Sequence, residues 1–151
     1  LTEADYTPAQ LVQSANYINQ NYGGLSFDAV RVRLQGELRQ LRDDGRRFQV
    51  ISLDPPAFIK RRKDAALGLA AYRQANDLAV QLLAPGGILA TSSCSHHLEV
   101  QALRGCLTHA ATKRKLHARI LFAGGQGPDH PIHAAMPETA YLKCFIAQVG
   151  A

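Results

Sequence analysis

The chain has 151 residues, 46% of them hydrophobic, with 17 Lys and Arg against 12 Asp and Glu for a formal net charge of +5. That length suits one buried core, and charges or Pro85-Gly86-Gly87 break the apolar runs well short of the ~20 residues a membrane span needs. Three separated cysteines, Cys94, Cys106 and Cys144, and an acidic, polar beginning argue against a disulfide framework or secretory leader and for a reducing cytoplasm.

Residues 6–22 carry Leu11, Val12, Ala15 and Ile18 at helical spacing, with Thr7 as cap and Pro8 in the first turn, and Gly23-Gly24 ends them. Residues 25–32 alternate enough for a strand, and 37–42 read as a helix closed by Asp43-Asp44-Gly45. The β-branched run Phe48 to Leu53 is a buried strand that stops at Asp54-Pro55-Pro56. Residues 64–83 form a helix with Leu67, Ala71, Leu78 and Leu82 on its apolar face. Pro85-Gly86-Gly87 then turns into a strand, Gly87 to Thr91, that runs out into Ser92-Ser93-Cys94-Ser95-His96-His97. A helix over 97–113, a strand over 116–122, a Gly-, Pro- and His-rich loop over 124–137 and a last strand over 141–149 complete the chain. Alternating strands and helices predict an α/β fold, a parallel sheet with helices on both faces and an antiparallel last strand, compatible with an edge position.

Ligands of open α/β sheets sit at the carboxyl ends of strands. Two such ends carry chemistry here. In Asp54-Pro55-Pro56-Ala57-Phe58 the acid can accept an amine hydrogen, the prolines fix the backbone, and the ring offers a flat face, a set that suits a nucleobase taken out of its stack. In the second loop a thiol stands among hydroxyls and imidazoles. The basic run Lys60-Arg61-Arg62-Lys63 adjoins the first loop and fits phosphate contacts, whereas Lys113-Arg114-Lys115 at a helix end is equally a solvated face. The histidines lack the compact paired spacing of zinc ligands, so no metal is expected, and His130 between Asp129 and Pro131 reads as a loop-fixing hydrogen bonder.

In order, Asp54-Pro55-Pro56-Ala57-Phe58, Pro85-Gly86-Gly87, Ser92-Ser93-Cys94-Ser95-His96-His97, Pro128-Asp129-His130-Pro131 and Pro137-Glu138 through Tyr141-Leu142-Lys143-Cys144 resemble class I S-adenosylmethionine-dependent methyltransferases of the large-subunit ribosomal RNA 5-methylcytosine type. The resemblance implies a Rossmann-like sheet, with residues 1–151 forming a partial catalytic domain that lacks the first strand and its Gly-rich loop. It implies S-adenosyl-L-methionine as cofactor and large-subunit ribosomal RNA as partner. Asp5 falls where the family's acid holds the cofactor ribose, with Tyr6 beside it to stack on adenine and Asp54 also near the cofactor. The family's adenine-binding aspartate aligns with Arg31-Val32-Arg33-Leu34, and arginine offers no acceptor. With no Gly-rich loop, the chain alone is expected to bind the cofactor weakly or not at all.

Cytosine C5 is a poor nucleophile, so methylation there needs a thiolate to add at C6. Cys94 is the candidate for that role, the helix after His97 being placed to favour the anion. Asp54 then holds the base by its amine side or N3, Pro55 and Pro56 shape the pocket, Phe58 stacks on the base or packs beneath it, and Lys60 holds the phosphate. No second cysteine follows the prolines, which leaves His96 or a water as the base that closes the cycle. Without the resemblance, Asp5 is an acid near a helix start, and Cys94 reads as a small buried hydrophobe like Cys106 and Cys144. Two other functions stay open: methylation of a base nitrogen with Cys94 a bystander, and a non-catalytic RNA-binding remnant.

Overall fold

The computed structural model describes residues 27–151. In chain order these form α1 (Phe27–Asp43), β1 (Phe48–Leu53), α2 (Ala65–Leu82), β2 (Leu83–Ser93), α3 (Val100–Thr112), β3 (His117–Gly124) and β4 (Lys143–Gly150), with 3-10 turns at Arg62–Asp64 and Pro137–Thr139. The strands lie in the order β1-β2-β4-β3. β1 and β2 are parallel and joined through α2, while β4 runs antiparallel to both β2 and β3. The last strand is therefore antiparallel as expected, but it is inserted between two others rather than laid on an edge.

Strand alternation decides which residues meet the helices. Leu89, Thr91 and Ser93 of β2 and Lys143, Phe145, Ala147 and Val149 of β4 are all buried on one face. Against them α2 brings Ala71, Ala75 and Ala79, whose small side chains let the helix lie close, and α3 brings Leu103, Leu107 and Ala110. α1 packs on α2, adding Leu34 and Leu38 to this cluster. The opposite parity includes Val50 and Phe122, both more than half exposed, so among the described residues the helices gather on one face of the sheet.

Several boundaries differ from the sequence reading. Residues 27–32, expected in a strand, belong to α1, because the spacing of Leu34, Leu38 and Leu41 carries a helical period through the segment and overrides the β preference of two valines. Arg31 to Leu34 thus lie within a helix and not in a loop after a strand. Leu67, assigned to the apolar face of α2, is 59% exposed. α3 starts at Val100, since residues 95–98 close a turn through the Leu98 N–H to the Ser95 carbonyl. Pro85-Gly86-Gly87 sits inside β2 as a bulge, where Phe48 pairs with Leu83 and Val50 already with Ile88. Gly86 takes a φ of 73° there, which a side chain would resist.

The basic cluster after α3 is structural. Arg114 donates to Asp77 of α2 at 2.5 Å and to the Ala110 carbonyl at 2.9 Å, and Lys113 reaches the same carboxylate at 3.4 Å. Burial of Asp77 opposes its ionisation, but the two cations outweigh it and hold the carboxyl below its usual range. A depressed folded-state value means that this ion pair stabilises fully at neutral pH and stops doing so as pH falls through and below the ordinary carboxylate range. Arg114→Met should therefore cost about 1–2 kcal/mol near neutral pH in urea unfolding, and the penalty should shrink below about pH 4. An equal penalty in acid would mean that Arg114 acts by packing alone.

Candidate functional site

The carboxyl ends of β1 and β2 meet the start of β4 at a cavity of about 170 Å³ lined by Asp54, Ser92, Ser93, Gly125, Leu142, Lys143 and Cys144. Asp54 is exposed, and the Ser92 hydroxyl donates to its Oδ1 at 2.7 Å. That bond joins the two loops that the sequence singles out. Cys94 follows two residues after Ser92, half-buried, and His96 beyond it is exposed, with its ring edge-on to His97 at 5.2 Å.

Beneath the loops lies a buried polar hub. The Tyr72 hydroxyl of α2 accepts from Ser93 Oγ at 2.7 Å and from the Phe58 N–H at 3.3 Å, and lies 2.8 Å from Ser95 Oγ. Ser95 Oγ in turn accepts from the Ile59 N–H at 3.2 Å. A phenol offers one donor and can accept twice, so with both acceptor positions filled its own proton goes to Ser95. Burial pushes the Tyr72 ionisation up, which keeps that proton in place. Burial likewise raises the thiol of Cys106, inside α3, to about 11, as befits a core residue.

The predicted site residues divide accordingly. Pro55 is buried, while Pro56 and Lys60 are exposed at the loop surface. Phe58 is 2% exposed and packs on the Tyr72 ring with centroids 4.8 Å apart, so its ring has no face open to a base and it underlies the loop instead. Arg61 of the basic run is paired with Asp64 at 2.8 Å. His130 lies 3.0 Å from Asp129, in a loop that is exposed throughout residues 127–138. Among the described residues no three His, Cys, Asp or Glu side chains converge as a metal site, and no helix is long and apolar enough to cross a membrane. Asp5 and Tyr6 lie outside the described residues.

Sequence reasoning missed Ser92, Tyr72, Lys143 and Cys144. Cys144 does not sit in the core but lines the cavity, its thiol held up by burial and by the charge of Asp54. Lys143 is 6% exposed and donates to the carbonyls of Ser95 and Leu98, each at 2.6 Å. Both placements were available from parity: with Phe145, Ala147 and Val149 facing inward, Lys143 must face inward and Cys144 outward.

α2 reaches the loop without a spacer at Gly68. A Cβ there would lie 2.5 Å from the Phe58 carbonyl oxygen and against Ile59 Cγ1. Gly68→Ala should therefore push the Pro-Pro loop off the helix and cost about 1–3 kcal/mol in thermal unfolding. An unchanged melting temperature would show that the loop yields freely.

No family model matches the chain. It is 41% identical over 112 residues to Ribosomal RNA large subunit methyltransferase I of Shewanella denitrificans, across 74% of this chain and 28% of that protein. Proteins of the same name from Aeromonas salmonicida and Cronobacter sakazakii are 40% and 38% identical, with the same two coverages. The chain thus spans little more than a quarter of the length of these curated relatives. Among solved structures it resembles SMU.776, described as a methyltransferase complexed with SAH, at a TM-score of 0.61 and 15% identity over 94% of this chain and 37% of that one. A structure described as a SAM-dependent methyltransferase from Streptococcus mutans gives 0.60 and 15% over 94% and 36%. The fold is a partial Rossmann-like sheet, similar to that of these two solved structures.

Proposed function

We propose that residues 1–151 are part of the catalytic domain of a cytoplasmic, S-adenosylmethionine-dependent methyltransferase that modifies cytosine C5 in large-subunit ribosomal RNA through a Cys94 adduct. The observation that carries this reading is the Ser92–Asp54 hydrogen bond, which ties a Pro-Pro loop to a thiol-bearing loop at the carboxyl ends of adjacent parallel strands. Similarity to relatives named for ribosomal RNA methylation supports the same reading.

The residues present fit the cofactor at one point. Asp54 is exposed at a strand end, Ser92 occupies only Oδ1, and no protein donor contacts Oδ2 among the described residues. Asp5 and Tyr6 would hold the ribose and adenine. When bound, S-adenosylmethionine supplies an electrophilic methyl group.

The chain's own residues do the rest. Cys94, as thiolate, adds to C6 of the base and places electron density on C5. Asp54, fixed by Ser92, accepts from the cytosine amine or holds N3 and so keeps the ring in register with the thiol. Pro55 and Pro56 set the loop's path, and Lys60 pairs with the phosphate of the extruded nucleotide. Removal of the C5 proton by His96 or a water lets the C6–S bond break and returns the thiolate.

In the full-length protein, RNA bearing 5-fluorocytosine should trap a covalent adduct, because fluorine cannot leave C5 as a proton does. Cys94→Ala should abolish adduct and turnover, and Asp54→Asn should lower turnover by about 10–100-fold with the fold intact. Full methylation by Cys94→Ala, with the methyl group on nitrogen, would identify a base-nitrogen methyltransferase instead.

RNA affinity should fall steeply with salt. Charge reversal of Arg62 and Lys63, neighbours of Lys60 in an exposed run, should lower the slope of log K against log salt by roughly 0.7–0.9 for each phosphate that the run no longer neutralises. An unchanged slope would remove this run from the RNA surface.

A further inference from the structure

We propose that the loop over residues 127–138 is a wedge for RNA, with Ile132 and Met136 entering the stack at the place the target base leaves. This rests on the reading of the chain as part of a methyltransferase that acts on an RNA base, whichever atom of the base is methylated.

The loop starts and ends at the site. Gly125 and Leu142, at its two ends, line the cavity to which Asp54 belongs. The ends come so close that a Cβ on Gly125 would lie 3.1 Å from the Leu142 carbonyl oxygen. Gln126 closes this neck with both ends of its amide, donating to the His130 carbonyl at 3.1 Å and accepting from the Leu142 N–H at 3.4 Å. Beyond the neck the chain is stitched to itself. The Thr139 hydroxyl accepts from the His133 N–H at 2.9 Å and donates to the Met136 carbonyl at 2.7 Å, and the Met136 N–H returns to the His133 carbonyl at 3.0 Å. A loop bonded in this way holds its side chains in place without support from the core.

What it holds out is apolar. Ile132 is 58% exposed and Met136 46%. Single apolar side chains on a surface are ordinary, but these two stand on a braced loop beside a site that has to take a base out of its stack. Extrusion leaves a gap, and Ile and Met are among the side chains that proteins insert between bases. Charge points the same way. No Lys or Arg occurs between Arg119 and Lys143, and Asp129 and Glu138 are the carboxylates of the loop, so it is not built to grip phosphate; that contact falls to the Lys60 run. Two side chains are also far too little surface for a protein partner, which takes roughly 800 Å² on each side.

The test is transfer of labelled methyl groups from S-adenosylmethionine by the full-length protein to large-subunit ribosomal RNA transcribed in vitro, offered either folded or cut into short single-stranded fragments. Ile132→Ser together with Met136→Ser leaves the neck intact. This pair should lower kcat/KM about 10-fold on folded RNA but no more than about twofold on fragments, whose bases need little unstacking. Ile132→Leu with Met136→Leu, which keeps an apolar wedge, should stay within about threefold of the parent on both. The salt dependence should be that of the parent, since no cation is removed. An undiminished rate on folded RNA, an equal loss on both RNAs or an altered salt slope would overturn the proposal. Should the parent ignore the fragments, a loss in the leucine pair as large as in the serine pair would do the same. A serine pair that breaks up an oligomer in light scattering would mark a protein-docking surface instead. A parent that methylates neither RNA would overturn the methylation reading and the wedge together, whereas a methyl group on nitrogen with the serine deficit confined to folded RNA would fault the cytosine C5 reading alone.

Discussion

The hydroxyl of Tyr72 is the point at which both loops of the site are held to the body of the protein. It lies on α2, a helix that neither loop belongs to, and it satisfies the Phe58 N–H of one loop and both inner serines of the other. Buried polar groups must find partners or destabilise the fold. Because each of these groups depends on the same oxygen, the loops cannot shift independently without leaving a donor or acceptor unpaired. The placing of Asp54 relative to Cys94 is therefore set from below, by a tyrosine that does not line the cavity.

The two serines of Ser92-Ser93 divide the work by alternation. Ser93 points inward to Tyr72, and Ser92 points to the other side, where it meets Asp54. One strand end thus serves as anchor on one face and as part of the site on the other. The Pro-Pro loop shows the same division, with Phe58 buried against Tyr72 and Asp54 left in the open.

This division is where legibility in the sequence ended. The run Phe48 to Leu53 and the helix after it were readable to within a residue or two, because β-branched composition and a long apolar period are local signals. That the two loops meet was readable from their places at the carboxyl ends of neighbouring strands. Residues 27–32 were misread because a short alternating stretch carries little weight beside a helical period that continues downstream. For Phe58 the sequence left stacking on a base and packing beneath it both open, because aromatic character says nothing about which way a residue faces, and the structure buries the ring. Tyr72 is invisible from its neighbours: it occupies an apolar position on a helix, and only tertiary packing brings its hydroxyl under two distant loops. The Lys113–Arg114 pair could not be told from a solvated basic face until Asp77 lay opposite it.

The last strand shows how strictly the arrangement depends on register. In β4 Lys143 faces inward to hold the Ser95–Leu98 turn, while Cys144 faces outward into the cavity beside Asp54. A slip of one residue would exchange them, turning a thiol toward the turn and an ammonium into the cavity. What prevents it is apolar burial farther along the strand: Phe145, Ala147 and Val149 share the parity of Lys143 and are fully enclosed by α2 and α3. A slip would carry all three to the open face and bring Cys144, Ile146 and Gln148 inward, at a hydrophobic cost of several kcal/mol. The core thus fixes which side of the sheet each end residue of β4 serves, and the chemistry of the loops inherits its geometry from residues that never touch it.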